Sequence, residues 1–251
     1  MGKSESLDIL WQNADALAIA KPAGLATIPG RAEADSALER IAAQLKLPAS
    51  GSADPRVRVV HRLDKETSGV LLFAKHTAAQ RHLSHQFQNN LVNKQYLALV
   101  RGRPVAQEGE IDGPIGPHPT SPLKMTILRH GGRPAKTLWR VEELFRDYAS
   151  LRVFPKTGKT HQIRVHLQSI GLPLAVDTLY NSGVGERLFL STFKRGYRTK
   201  PGEEERPLIG RLTLHAERIH FVDMEGNPVE VISELPKDFR ATLSMLRKYG
   251  K

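Results

Sequence analysis

The chain has 251 residues, 40% of them apolar, enough for one large domain or two small ones with a real core. It has no cysteine, which excludes disulfides, thiolate metal sites and cysteine nucleophiles and suits a reducing compartment. Lys and Arg number 37 against 26 acidic residues, and the resulting +11 charge points to a polyanionic partner such as nucleic acid. With aromatics at only 6%, charge rather than stacking has to supply most of that affinity.

No apolar run approaches the roughly 18 residues of a membrane span. The N-terminal MGKSESLDILW lacks the apolar centre of a signal peptide, so a cytoplasmic protein without a membrane partner is expected. Leu7 to Pro22 reads as a hairpin turning at Asn13-Ala14-Asp15. Ser36 is positioned to cap a helix to about Leu45, in which Leu38, Ile41 and Leu45 share a face. Val57 to Val60 and VLLFAK from Val70 read as strands, and the charged stretch HRLDKETSG from His61 connects them. Thr77 is the expected cap of a helix through Leu83 and Phe87 to Asn90. NKQYLALVRG follows as a strand that sends Tyr96, Ala98 and Val100 to one face and Leu97 and Leu99 to the other. Glu108 to Pro122, rich in Gly and Pro, reads as loops. Strands are expected over Thr137 to Val141 and Ser150 to Phe154, then a helix capped by Thr160 and stopped by Gly171. Phe239, Leu243 and Leu246 mark a C-terminal helix over 236–249. Many strands, few helices and no regular βαβ alternation make the fold class α+β.

Chemistry concentrates in two segments. In HRLDKETSG, a loop held by two strands carries His61, Arg62, Asp64, Lys65 and Glu66 together, and Thr67, Ser68 and Gly69 can hold it in one shape. Asp64, flanked by basic residues, is a carboxylate able to act as nucleophile or base. On residue chemistry alone, a surface turn with ordinary ion pairs is the better reading. In TGKTHQIRVHLQ from Thr157, a helix starting after Thr160 puts His161, Arg164 and Gln168 on a polar face. The opposite face takes Ile163, His166, Leu167 and Ile170, with His166 hydrogen-bonded in the core. The N-terminus of such a helix favours an anion. Gly158-Lys159-Thr160 ends like a phosphate loop, but Val153 stands where that motif needs glycine. Tyr96 alone reads as a core aromatic. No histidine pair has zinc-binding spacing with a carboxylate, so no metal is expected.

These segments, in their order, resemble the RluA family of pseudouridine synthases. The matching stretches are KPAGLATIPG from Lys21, HRLDKETSGVLLFAK from His61, KQYLALVRG from Lys94 and PIG from Pro114 with Lys124-Met125. GRPAKTLWRV from Gly132, TGKTHQIRVHLQSIGLPLAVDTLYN from Thr157 and LHAERIHF from Leu214 complete the set. The resemblance spans about residues 8 to 235. It implies one catalytic domain over 1–251 without the S4-type RNA-binding domain of many relatives. The implied fold is a mixed, mostly antiparallel bent sheet flanked by helices and loops, with a catalytic cleft across it. It implies an enzyme that isomerises uridines to pseudouridine in structured RNA, ribosomal or transfer, with no cofactor, and a monomer is expected.

Residue by residue, Asp64 matches the attacking aspartate and Tyr96 the tyrosine that packs on the target base and is implicated in proton transfer. Arg164 matches the basic residue paired with the aspartate, and Arg62 an arginine that helps hold the flipped nucleotide. His61, Thr67, Lys159, His161 and Gln162 are the further expected RNA contacts. The sequence departs from the family pattern at Ala20, at Pro117 with Pro119-Thr120-Ser121-Pro122, and at Val176, none of which touches Asp64, Tyr96 or Arg164. Residues 181–210 form a long basic connection that reads equally as an RNA-contacting insert or a solvated loop. Two other classes compete: a non-catalytic RNA-binding or folding factor on the same fold, and a hydrolase of free nucleosides.

Overall fold

The computed structural model describes residues 6–30, 35–48, 54, 56–181, 186–199 and 202–251. The fold is α+β, with strands paired mostly antiparallel and four α-helices among the described residues. The chain divides into two compact units, Met1–Lys94 with Ala216–Glu234, and Gln95–His215 with Leu235–Lys251.

In the first unit, β1 (Ile9–Gln12) and β2 (Ala16–Lys21) form the expected hairpin. Asn13 Oδ1 accepts the N–H groups of Asp15 and Ala16, each at 2.9 Å, which fixes the turn. Helix α1 (Ala37–Leu45) is capped by Ser36, whose Oγ accepts the Glu39 N–H at 3.2 Å. Strand β3 is only Arg58–Val59, shorter than expected, and β4 is Ser68–Ala74. β4 is buried along its whole length, because β2 flanks it and helix α2 (Thr77–Gln88) packs over it. The cap of α2 is His76 rather than Thr77: its Nδ1 accepts the Ala79 N–H at 3.2 Å, and histidine carries no obvious capping signal. Strand β11, defined below, follows β4, and β12 (Pro228–Ile232) pairs with it antiparallel.

In the second unit, β5 (Asn93–Arg101), β10 (Tyr148–Pro155), β9 (Lys136–Leu144) and β6 (Glu108–Asp112) lie in that antiparallel order. The alternation read in β5 holds. Tyr96, Ala98 and Val100 join a core with Trp139, Leu151, Val153 and Ile163. Leu97 and Leu99 enter another with Tyr148, Phe193, Phe239 and Leu243. The segment read as loops is largely strand. Besides β6, it contains β7 (Ile115–His118) and the start of β8 (Ser121–Ile127), which pair with each other. EGEID of β6 offers one buried apolar residue, Ile111, as an edge strand can. Pro117 sits where the β7–β8 register shifts, a place where a missing N–H is tolerated.

Helix α3 (Gln162–Ser169) starts one residue later than expected. Its N-cap is His161, in a left-handed conformation at φ 55° and ψ 20°, not Thr160. Helix α4 (Lys237–Tyr249) buries Phe239, Leu243 and Leu246, as its periodicity predicts. Strand β11 (Leu214–Val222) and β5 are the two strands in which the chain passes from one unit to the other.

Candidate active site

The Asp64 loop is built by clamping the residues on either side of it. Leu63 is buried, and its N–H donates to Thr27 Oγ1 at 3.1 Å while that hydroxyl donates to Leu63 O at 3.0 Å. On the other side, Lys65 O accepts the Gly24 N–H at 2.9 Å and the Lys21 ammonium at 2.9 Å. Lys21 is 1% exposed, and its Nζ also donates to Pro22 O at 2.8 Å and Leu25 O at 2.7 Å. A buried ammonium is tolerated only when its protons are satisfied, and three carbonyl oxygens satisfy them. The Thr67 N–H then closes a turn on Asp64 O at 3.1 Å. The KPAGLAT segment is thus the template on which a half-buried Asp64 is displayed.

The loop's other expected site residues divide by exposure. Arg62 is exposed and makes no ion pair among the described residues. Thr67 is buried in the turn. His61 stacks on Phe87, with ring centroids 4.4 Å apart and planes 14° from parallel. Its Nε2 accepts the Leu72 N–H at 2.9 Å, so the ring is neutral with its proton on Nδ1. Desolvation, reinforced by the charge of Lys94, pushes its pKa down to about 3.

The expected site residues Tyr96, Lys159, His161, Gln162 and Arg164 lie in the second unit, Tyr96 on β5 and the others in and just before α3. Tyr96 is half-buried in β5 opposite Val153, one side against the core that includes Ile163. Arg164 is buried and forked on Asp177, with Nε to Oδ2 and Nη2 to Oδ1 both at 2.8 Å. Asp177 Oδ1 also accepts the N–H groups of Leu179 at 3.0 Å and Tyr180 at 3.1 Å. The Tyr180 ring lies 4.9 Å from the Arg164 guanidinium carbon. A planar guanidinium so gripped has its direction fixed.

Tyr180 joins this cluster to the rest of its unit. Its hydroxyl accepts the Met125 N–H at 2.7 Å and lies 2.8 Å from His161 Nδ1. The direction of the bond between the hydroxyl and Nδ1 follows the tautomer of His161. Gln162 is buried and saturated: Nε2 donates to Lys136 O and Thr137 Oγ1, while Oε1 accepts from Thr157 Oγ1 and the Lys159 N–H. It therefore shapes the TGKT turn, and Lys159, half-exposed on that turn, makes no ion pair among the described residues. His166, fully buried, bonds Thr137 Oγ1 at 2.9 Å and Gly113 O at 3.0 Å, the core role expected of it. Desolvation lowers its pKa against the smaller raising effects of the Gly113 bond and Asp112. Among the described residues no group of His, Asp and Glu side chains could hold a metal ion.

The family model described as RNA pseudouridylate synthase matches residues 15–169, which takes in the Asp64 loop, Tyr96 and Arg164. The chain belongs to the RNA pseudouridylate synthase family. Over 247 residues it is 37% identical to a "Ribosomal large subunit pseudouridine synthase D" of Xanthomonas campestris, covering 96% of this chain and 70% of that relative. The same name belongs to a Nitrosomonas europaea relative, 37% identical over 245 residues, of which the match covers 65%. The fold resembles the solved "Human RNA Pseudouridylate Synthase Domain Containing 1", with TM-score 0.71, 26% identity, and coverage of 94% of this chain and 86% of that one. As an RluA-type pseudouridine synthase, the chain is an isomerase that acts on RNA. Lys21, Thr27, Asp177 and Tyr180 were not singled out as site residues from sequence. All four stand inside the family segments, and their signal was a polar residue set in an apolar run.

Proposed function

We propose that the chain converts uridines of large-subunit ribosomal RNA to pseudouridine, in the cytoplasm and as a monomer, with Asp64 as the attacking carboxylate. The observation that carries this is the Asp64 loop, a carboxylate on a turn fixed from both sides by the KPAGLAT segment. The choice of RNA rests on the names of the bacterial relatives. Among the described residues no helix is long and apolar enough to cross a membrane.

The reaction breaks the N1–C1′ bond, turns the uracil and makes a C5–C1′ bond. The C5 proton leaves and N1 gains one, so atoms and electrons balance without a redox partner or water. Asp64 either attacks C1′ or assists glycal formation by taking the 2′ proton. Tyr96 packs on the base and serves the C5 proton transfer. Arg164, held in one direction by Asp177, is the residue that matches the family's basic partner of the aspartate. Unstacking the uridine costs a few kcal/mol, which RNA contacts by Arg62, Lys159 and His161 offset. His61, Thr67 and Gln162 act by holding the loops that carry those contacts.

The deciding experiment is tritium release from ribosomal RNA labelled at uridine C5. Asp64→Asn is expected to lose release by about a thousandfold or more while its affinity for the RNA stays within about threefold. An Asp64→Asn protein with parental turnover would refute the assignment.

A further inference from the structure

The segment from Glu186 to Thr199 has no part in the reaction described above, yet it is firmly anchored. Phe193, 4% exposed, is packed among Tyr148, Phe239, Leu243 and Leu246. Its ring meets Tyr148 edge-on at 6.4 Å. The Lys194 N–H bonds Leu190 O at 2.9 Å and the Tyr197 N–H bonds Lys194 O at 3.2 Å, so the chain leaves the anchor in consecutive turns. What those turns present is Lys194-Arg195-Gly196-Tyr197-Arg198.

Cations and aromatic rings alternate there. The Lys194 ammonium lies 5.4 Å from the Tyr197 ring centre and 4.4 Å from that of Tyr249 at the end of α4. The Lys248 ammonium lies 5.1 Å from the Tyr249 ring. The hydrogen bond from Lys248, with a further contribution from Lys194, holds the Tyr249 phenol below its ordinary pKa, a sign of concentrated positive potential. Arg195 and Arg198 are exposed and make no ion pair among the described residues. Three carboxylates on neighbouring elements are engaged elsewhere. Glu205 accepts the Ser191 N–H at 2.8 Å, Glu143 takes Arg247 at 2.9 Å, and Asp238 takes Arg211 at 2.7 Å.

We propose that Lys194, Arg195, Tyr197, Arg198, Lys248 and Tyr249 form a docking surface for the phosphate backbone of the substrate RNA. The inference rests on the RNA-modifying reading above. Unpaired guanidiniums suit phosphate oxygens, which they bind through paired charge-assisted hydrogen bonds. Aromatic faces among the cations suit unpaired bases, which stack without sequence preference. A merely solvating surface has no need of a buried phenylalanine to fix its cations in place.

The test compares the parent with Arg195→Ala/Arg198→Ala/Lys248→Ala, using a transcript of large-subunit ribosomal RNA. Each lost phosphate contact lowers the slope of log K against log salt by about 0.9. The triple variant should therefore show a slope shallower by about 2 to 3 and a Kd and KM raised at least about tenfold near 0.1 M salt. Its kcat at saturating RNA should match the parent. If the triple variant does not fold, Arg195→Ala/Arg198→Ala carries the test, with a slope change of about 2.

A folded variant with parental slope and KM overturns the inference and leaves the functional reading standing. A parent that binds the transcript with the expected variant loss, yet makes no pseudouridine, overturns the reading and not the surface. Binding of this face to anionic lipid vesicles, with RNA affinity unchanged in the variant, would also overturn it.

Discussion

Replacing Gly69 by alanine tests how the Asp64 loop is joined to the sheet. Gly69 opens β4 at φ +121°, a conformation that L side chains rarely adopt. A Cβ there would lie 2.1 Å from Ala216 O, 2.6 Å from Ala216 C and 2.7 Å from Ala216 N, all atoms of strand backbone. Contact at those atoms needs well over 3 Å, and backbone cannot swing aside as a side chain can. The backbone conformation costs about 1–3 kcal/mol, and forcing an extra carbon into packed structure costs about another 1–3 kcal/mol. Together that is roughly 2–6 kcal/mol against a typical stability of about 5–15 kcal/mol.

A chain of this size loses about 2–4 °C per kcal/mol. Gly69→Ala should therefore melt about 5–20 °C below the parent, followed by circular dichroism and by urea titration. Gly24→Ala is the matched control. It has φ +82° and nothing within 4 Å of the added carbon, so it should show only the smaller conformational loss. If Gly69→Ala melts within a degree or two of Gly24→Ala, the close approach of β4 to β11 at this residue is wrong, and with it the account of how the loop ends.

Two further outcomes follow from hydrogen bonds already described. Tyr180→Phe strands the Met125 N–H and removes the hydrogen bond to His161 Nδ1. The expected cost is about 1–3 kcal/mol, with a fall in kcat on RNA that a silent packing change would not cause; a variant equal to the parent in both urea midpoint and kcat refutes the hub. The two neutral histidines make stability fall in acid. His61 has its folded pKa near 3, below the ordinary 6.5 of histidine, and His166 is lowered in the same direction. The unfolded chain then binds protons that the native state refuses, so their contribution is intact above about pH 6.5 and is lost as pH falls towards the folded pKa. For His61 alone the loss by pH 5 is at most about 2 kcal/mol. Urea midpoints between pH 7.5 and 5 should decline less steeply in His61→Gln than in the parent, and equal declines would show that His61 is not held neutral.

Period and turn chemistry made the sheet-forming and amphipathic segments readable. Asn13 at the hairpin, Ser36 at α1 and the two faces of β5 all behave as their residue types dictate, because each is decided within a few neighbours. β6, β7 and β8 were not readable. EGEID and IGPH hold few apolar residues, and β9 across the ladder or a partner hairpin strand stabilises them instead. His161 shows the same limit at the site, since nothing local marks a histidine for a left-handed N-cap bonded to a tyrosine 19 residues on. The residues proposed to react were picked out by family resemblance, whereas the groups that hold them depend on long-range partners. Lys21 looks like a solvated lysine until the three carbonyls around it are seen. Asp177 looks like a turn aspartate until it is found gripping Arg164.

The clamp on the Asp64 loop also determines when its conformational entropy is lost. With Leu63 and Lys65 both tied to KPAGLAT, the loop is ordered as the domain folds, not as RNA arrives. Affinity for RNA then need not be diverted into shaping the carboxylate's backbone and remains available for extruding the uridine. A rigid display also makes the loop a poor candidate for a gate, so discrimination between uridines falls to how readily each RNA site gives up its base.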